Sequence, residues 1–260
     1  MIDVIIPAYN CTGTIARTLG SLVAQTDSYF KVTIVDDHST DNLAQAIAPF
    51  LGLLDLRVIR NAKNLGCGMS RQVGIDNTTA SHYCFLDSDD MLMPYAVETF
   101  NACIRANPDL ALLHSYFYQQ TVTPDGDPAV VIKKDGYTWC HGKLYNRAAV
   151  QALGIRNSPA VRWADDSYFN AMCMELLPIQ LMALPMYYWT DNPASVMHKP
   201  DSIRDAQKKQ DFLQAMVMAA EFVHNKKGSV SFVGPTLARI QCDTADERRL
   251  YNRLKDFLEV

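Results

Sequence analysis

Two clusters of aspartates are the residues whose types and spacing suggest chemistry: Asp36-Asp37, and Asp87-Ser88-Asp89-Asp90. Carboxylates packed this densely repel one another unless a positive group sits among them. A hard divalent cation meets that need. Mg2+ and Mn2+ favour oxygen donors, and Mg2+ is commonly held by one or two carboxylates together with substrate phosphates. An Asp-rich turn is also an ordinary solvated loop, and Asp-x-Asp alone has little specificity. Position in the fold decides between the two.

The elements that must position these clusters alternate in type. Val4-Ile5-Ile6, ended by Pro7, suits a short buried strand, and Ile15, Leu19, Leu22 and Val23 then mark one face of a helix, with Thr12 or Thr14 placed to cap it. Lys31 to Val35 is a second strand running into Asp36-Asp37, followed by a helix at Leu43, Ala46 and Ile47. Leu56 to Ile59 is a third strand, with a helix from Met69 to Ile75. Tyr83 to Leu86 is a fourth, running into Asp87, and a helical stripe follows from Ala96 to Ile104. This order predicts an α/β fold with a mostly parallel sheet and helices on both faces. In such sheets ligands bind beyond the carboxyl ends of the strands, where both acidic clusters fall.

After Leu110 the alternation weakens. A strand over 111–118, a turn over 123–128 and a returning strand at 130–132 are expected, then helices around Phe212 to Val223 and from Asp243 or Thr244 to about Leu258. The simplest division is one catalytic unit over 1–200, with halves at 1–110 and 111–200, and a helical extension over 201–260.

Composition narrows the classes. With 260 residues, 48% hydrophobic and 20% charged, the chain supports a sizeable core, and a net charge of -4 gives no global attraction to nucleic acid or anionic membrane. Lys208, Lys209, Lys226 and Lys227 read as a solvated helix surface. The seven cysteines form no Cys-x-x-Cys pair and suit a reducing compartment. Met1 to Val4 enters an apolar run without a basic leader, and the stretch from Leu176 to Trp189 is broken by Pro178 and Pro185. No transmembrane segment is expected, and the expected location is cytoplasmic.

Four segments together, Val4-Ile5-Ile6-Pro7-Ala8-Tyr9-Asn10, Ile34-Val35-Asp36-Asp37-His38-Ser39-Thr40-Asp41, Asn64-Leu65-Gly66 with Arg71, and Leu86-Asp87-Ser88-Asp89-Asp90, resemble the family 2 glycosyltransferases in order and spacing. The resemblance covers about residues 1 to 200 and weakens after Asp90. It implies the GT-A fold and an inverting transfer from a nucleotide-diphosphate sugar, UDP being favoured, to a glycan or other hydroxyl acceptor, assisted by Mn2+ or Mg2+. By the same resemblance Pro7, Ala8, Tyr9 and Asn10 line the donor nucleotide's pocket. Asp37 bonds the base, Asp36 supports the turn, and Arg71, Asp87 and Ser88 hold the nucleotide. Asp89 binds the metal, and Asp90 supports the loop.

The acceptor side also follows from the resemblance. Trp163-Ala164-Asp165-Asp166 looks like the family's Glu-Asp motif with Asp165 in place of the glutamate, which makes Asp166 the candidate base that takes the acceptor proton. Both aspartates also suit a helix cap. Gly142, beside His141, is expected to let the backbone approach sugar or acceptor, and Trp163 to line that side. His198 is expected over the diphosphate as a metal or phosphate ligand. A modified DNA base or a protein as acceptor, a nucleotidyltransferase, and an inactive nucleotide-sugar-binding module are the alternatives. The nucleotidyltransferase is disfavoured because Pro7-Ala8-Tyr9-Asn10 replaces a glycine-rich phosphate loop.

Overall fold

The computed structural model describes residues 1–123, 125–134, 139–192, 202–233, 238 and 240–258. Four parallel strands, β1 (Ile2–Ala8), β2 (Phe30–Asp36), β3 (Leu56–Arg60) and β4 (His82–Phe85), lie in the order β3-β2-β1-β4. β1 is buried throughout, which explains an apolar run with no alternation. Its register sets Ala8 level with Asp36 and Ile5 level with Phe85, so the loops after β1, β2 and β4 emerge along one edge.

Helices cover both faces, as the alternation predicts. Buried side chains of α1 (Ile15–Val23), α2 (Leu43–Ile47) and α4 (Ala96–Ala106) close one core with Val4, Ile6 and Ile34. α3 (Cys67–Asn77) lies on the opposite face, where Ile75 packs with Ile5, Tyr83 and Phe85. Thr14 occupies the N-cap of α1 without capping it: its hydroxyl donates to the Cys11 carbonyl. Asn42 does cap α2.

The second half departs from the parallel scheme. β8 (Lys143–Asn146) joins β4 antiparallel, and the long strand β6 (Leu112–Val122) lies antiparallel to β8. Past the end of β8, β6 pairs instead with the hairpin strand β7 (Pro128–Lys133). Its other edge carries β9 (Ile179–Trp189), which runs parallel to it, and the short β5 (Met91–Leu92) closes the sheet against β9. Pro185 is tolerated in β9 because it sits at the bulge where the β6–β9 register slips, the place in a ladder where a missing N–H costs least.

α5 (Arg147–Ala152) follows β8, and α6 (Asp165–Leu176) crosses beneath Tyr145 and Phe85. The helices α7 (Ser202–Lys227) and α8 (Ala245–Lys255) share the core of α6 rather than hanging free of it. Thr244 and Glu247 form a reciprocal capping box at the start of α8. Glu175 of α6 takes Lys227 and the N–H groups of Ser231 and Phe232. The lysines read as a solvated helix surface also have partners: Lys209 pairs with Asp243 and Glu247, and Lys208 and Lys226 lie over the rings of Trp163 and Phe222. Among the described residues no helix is long and apolar enough to cross a membrane, and all seven thiols are free.

Candidate active site

The loops after β1 and β2 are knitted together. Asn10, with φ of 50°, donates its N–H to Ser39 Oγ at 3.1 Å, and its Oδ1 accepts from the N–H of Thr40 at 2.8 Å. Pro7 and Ala8 remain in the ladder opposite Val35 and Asp36, while Tyr9 is 50% exposed and presents its ring at the strand's end. Asp36 accepts from the Ser39 N–H and pairs with Arg60, which bends the chain back at the end of β2. Asp37 is buried and accepts three hydrogen bonds, each 2.8 Å. Asn61 Nδ2 and the Leu65 N–H reach Oδ1, and the Gly66 N–H reaches Oδ2. A carboxylate offers about four lone-pair sites, so one on Oδ2 is left for a ligand. Asn61 was not anticipated; it follows β3, and only the fold carries it to Asp37.

α3 then serves as a rail. At successive turns of one face, Gly68 meets Asp165, Gln72 Oε1 accepts the Asn157 N–H at 2.9 Å, and Asp76 pairs with Arg156 at 2.7 Å. The segment 156–165 is therefore strapped antiparallel along this helix. A Cβ on Gly68 would lie 2.5 Å from Asp165 Cβ, so only glycine admits this approach. Beside it, Arg71 is buried and donates from Nη1 to Asp165 Oδ2 and from Nη2 to Asp87 Oδ1, both at 2.6 Å. Its guanidinium also lies 5.6 Å from the Phe85 ring centre. One arginine thus joins the loop after β4 to the first turn of α6, tying the parallel half of the sheet to the second half.

The loop after β4 carries the densest negative charge. Burial pushes Asp87 up, but Arg71 and His141 more than offset it and hold its carboxyl well below the usual range. Asp90 is raised to about 8 by burial and then by Asp87, and it accepts from Tyr187 Oη at 2.6 Å and from the Thr190 N–H at 2.7 Å. It is held inside the loop. Asp89 is half-buried and raised by burial; its Oδ2 accepts from Asn192 and its carbonyl from Arg17. Ser88 reaches the Cys11 thiol. His141 stacks on Tyr187 with ring centres 4.6 Å apart and turns Nε2 toward Asp87 Oδ2 at 3.8 Å. Asp87, Asp90 and His141 bring three ligand atoms within 4.8 Å of one another.

On the acceptor side Ala164 adopts a left-handed φ of 58°, an uncommon conformation for a residue with a side chain. It occupies the N-cap of α6, and Asp165 and Asp166 fall in the first turn, so neither is the cap. Burial and then the Asp165 charge raise Asp166 to about 7, and among the described residues its carboxylate accepts from the N–H of its neighbour Ser167 at 2.7 Å. Asn170, itself held by Tyr145 Oη at 2.6 Å, donates to the Asp166 carbonyl and fixes that turn. Gly142, at φ of 65°, packs against β6, where a Cβ would meet Ser115 Oγ at 2.5 Å. Its close approach is to a strand. Trp163 lies beneath Lys208, and His198 falls outside the described residues.

A doubly covered sheet with an acidic, half-buried cluster along the carboxyl ends of its parallel strands defines an α/β protein whose candidate site lies where such sheets bind ligands. The model of the family described as glycosyl transferase family 2 matches residues 3–158, and the chain belongs to that family. It is 34% identical over 114 residues to an uncharacterized glycosyltransferase of Haemophilus influenzae, covering 44% of this chain and 38% of that protein. It is 42% identical over 92 residues to the amylovoran biosynthesis glycosyltransferase AmsB of Erwinia amylovora, covering 34% and 30%. The match thus spans well under half the length of these curated relatives. S. aureus TarS (residues 1–349) in complex with UDP-GlcNAc superposes with a TM-score of 0.72 at 21% identity, over 99% of this chain and 80% of that one. The mannosyltransferase PcManGT of Pyrobaculum calidifontis, in complex with GDP-Man and Mn2+, gives 0.64 at 16%, over 99% and 74%. The fold is that of GT-A glycosyltransferases.

Proposed function

We propose that the chain transfers a sugar from a nucleoside-diphosphate donor, UDP-linked in the first instance, to an acceptor hydroxyl with inversion of the anomeric centre. One observation carries the reading: Arg71 ties Asp87, on the donor loop, to Asp165, beside a half-buried Asp166 raised to about 7. A carboxylate poised near neutrality suits general-base removal of a hydroxyl proton. Asp166 takes that proton as the oxygen attacks, and attack opposite the leaving diphosphate inverts the centre. Asp37 bonds the base through its spare Oδ2 lone pair, with Tyr9 against the base and Pro7, Ala8 and Asn10 shaping the pocket.

The residues fit a hard cation. Burial and mutual repulsion raise both Asp89 and Asp90, a sign that this loop carries more negative charge than its own cations balance. Asp90 is already engaged by Tyr187 and Thr190, so Asp89 and Asp87 are the proposed ligands, with His198 as a further one. Bound there, Mn2+ or Mg2+ supplies charge stabilisation to the departing diphosphate. UDP and UDP-GlcNAc in TarS, and GDP-Man with Mn2+ in PcManGT, support a nucleotide-sugar donor and a metal. A glycan acceptor, the 1–200 and 201–260 division and a cytoplasmic location, which free thiols suit, belong to the same proposal.

The test is a donor panel with Mn2+ or Mg2+, scored for released nucleoside diphosphate. Metal-dependent release from one donor is expected, and Asp89→Ala should abolish it. No release together with no calorimetric binding of any nucleotide sinks the reading.

A further inference from the structure

We propose that Trp139 is the platform on which a pyranose ring of the transfer reaction rests, an inference that builds on the glycosyltransferase reading. The indole is 38% exposed, although it stands two side chains from the reacting end of the donor loop. Its ring centre is 5.7 Å from that of His141, whose Nε2 lies 3.8 Å from Asp87 Oδ2. Among the described residues the rings that touch Trp139, those of Phe117 and His141, meet it at 61° and 59°, at an edge rather than stacked. Among the described residues, then, no ring lies flat on the indole, and part of it is open to solvent close to His141 and Asp87.

That exposed face is held in place at a cost. Lys143 is 1% exposed and donates its ammonium to the Trp139 carbonyl. Burying an ammonium is unfavourable unless hydrogen bonds offset it, so a buried lysine spent on this carbonyl fixes the backbone beneath the indole. The other two tryptophans are differently placed: Trp163 has Lys208 over its ring, and Trp189 is packed against the core. Val130, Val131 and Ile132 are exposed as well, but they are aliphatic and lie out on the hairpin strand.

Chemistry selects the ligand. A pyranose has a face of C–H groups ringed by hydroxyls, so it needs an apolar plane with polar groups at its rim. Tryptophan supplies a large rigid apolar plane with one polar edge, and Asp87, reached from it through His141, can accept a hydroxyl hydrogen. The sugar is either the donor's hexosyl group or the acceptor's terminal residue; both present this face, and the experiment separates them.

Full-length Trp139→Ala and Trp139→Phe are compared with the unaltered protein for binding of UDP-N-acetylglucosamine, UDP-glucose and GDP-mannose. Each is set against UDP or GDP alone, and stimulation of diphosphate release by methyl pyranosides is measured as well. The expected result is about a tenfold loss in Trp139→Ala, the equivalent of about 1.4 kcal/mol, in the range of aromatic contacts. Trp139→Phe should fall between, and affinity for the free nucleotides should not change. Loss confined to the sugar nucleotide assigns the ring to the donor; loss confined to pyranoside stimulation assigns it to the acceptor. Both variants matching the unaltered protein on every probe, at unchanged Tm, overturns the proposal and leaves the transferase reading standing. Equal weakening of free UDP or GDP overturns it too. An unaltered protein that binds no nucleotide and releases none removes both.

Discussion

The two paired aspartates of this site, Asp36-Asp37 and Asp165-Asp166, share a sequence pattern and differ in everything that surrounds it. Asp37 is met by two backbone N–H groups and an amide, and Asp36 by a backbone N–H and an arginine. Asp165 has Arg71, but Asp166 has little beyond the N–H of its neighbour, and burial raises it to about 7. A carboxylate surrounded by donors becomes a fixed point of the backbone. One given burial without donors stays ready for a proton. The number of donors, not the residue type, separates the two pairs.

Four experiments break or sharpen this contrast. The largest effect is expected for Asp166→Asn, which keeps shape and removes the base. Transfer should fall by about 10²–10⁴-fold, while donor affinity by calorimetry stays near that of the unaltered protein. Unchanged transfer would move the base to Asp165 or elsewhere. Asp37→Asn should act in the opposite manner, through the fold. An amide keeps one acceptor oxygen, so its NH2 must face the N–H of either Gly66 or Leu65, costing about 1–3 kcal/mol, read as a lowered Tm together with weaker donor binding. An unchanged Tm would mean these bonds are dispensable.

Gly68→Ala probes the link between the pairs. Its methyl would press on Asp165 Cβ and force the Arg71 bridge apart. A loss of about 1–3 kcal/mol in stability and a drop in kcat are expected, and a variant with normal kcat would show the bridge to be unnecessary for transfer. The smallest effect is the pH profile. The base works ionised, and the raised carboxyl loses its charge as pH falls through about 7. Transfer should therefore climb with pH up to about 7 and level off above it, falling about tenfold per unit on the acid side. In Asp166→Asn the residual rate should lose that slope. A profile that stays flat from 5 to 8 in the unaltered protein removes Asp166 as the titrating base.

The parallel half was legible because its information is local. β1, β2 and β4 are short runs buried by helices, each passing straight into polar residues, so strand and loop chemistry are read together. The second half depends on partners far away in sequence. β8 is the tetrapeptide Lys-Leu-Tyr-Asn, with no strand period to see, and its lysine is buried and donates to the Trp139 carbonyl, a contact no spacing announces. β9 holds Pro185, which from sequence reads as an interruption and in the sheet coincides with a bulge. The same divide runs through the site. The aspartates, Tyr9 and Arg71 were legible from their segments, whereas Asn61, Tyr187 and Asn170 act through contacts that no spacing announces.

The strapping of residues 156–165 along α3 constrains how descendants of this chain can diverge. One residue added inside α3 turns everything beyond it by about 100°, carrying Gln72 and Asp76 away from Asn157 and Arg156 while the Asp37 loop stays where it was. The stretch at 158–160, ahead of the buried Val161, is the place where residues can be gained or lost with least disturbance to that alignment. Length variation among close homologues should therefore gather in that stretch and avoid the helix.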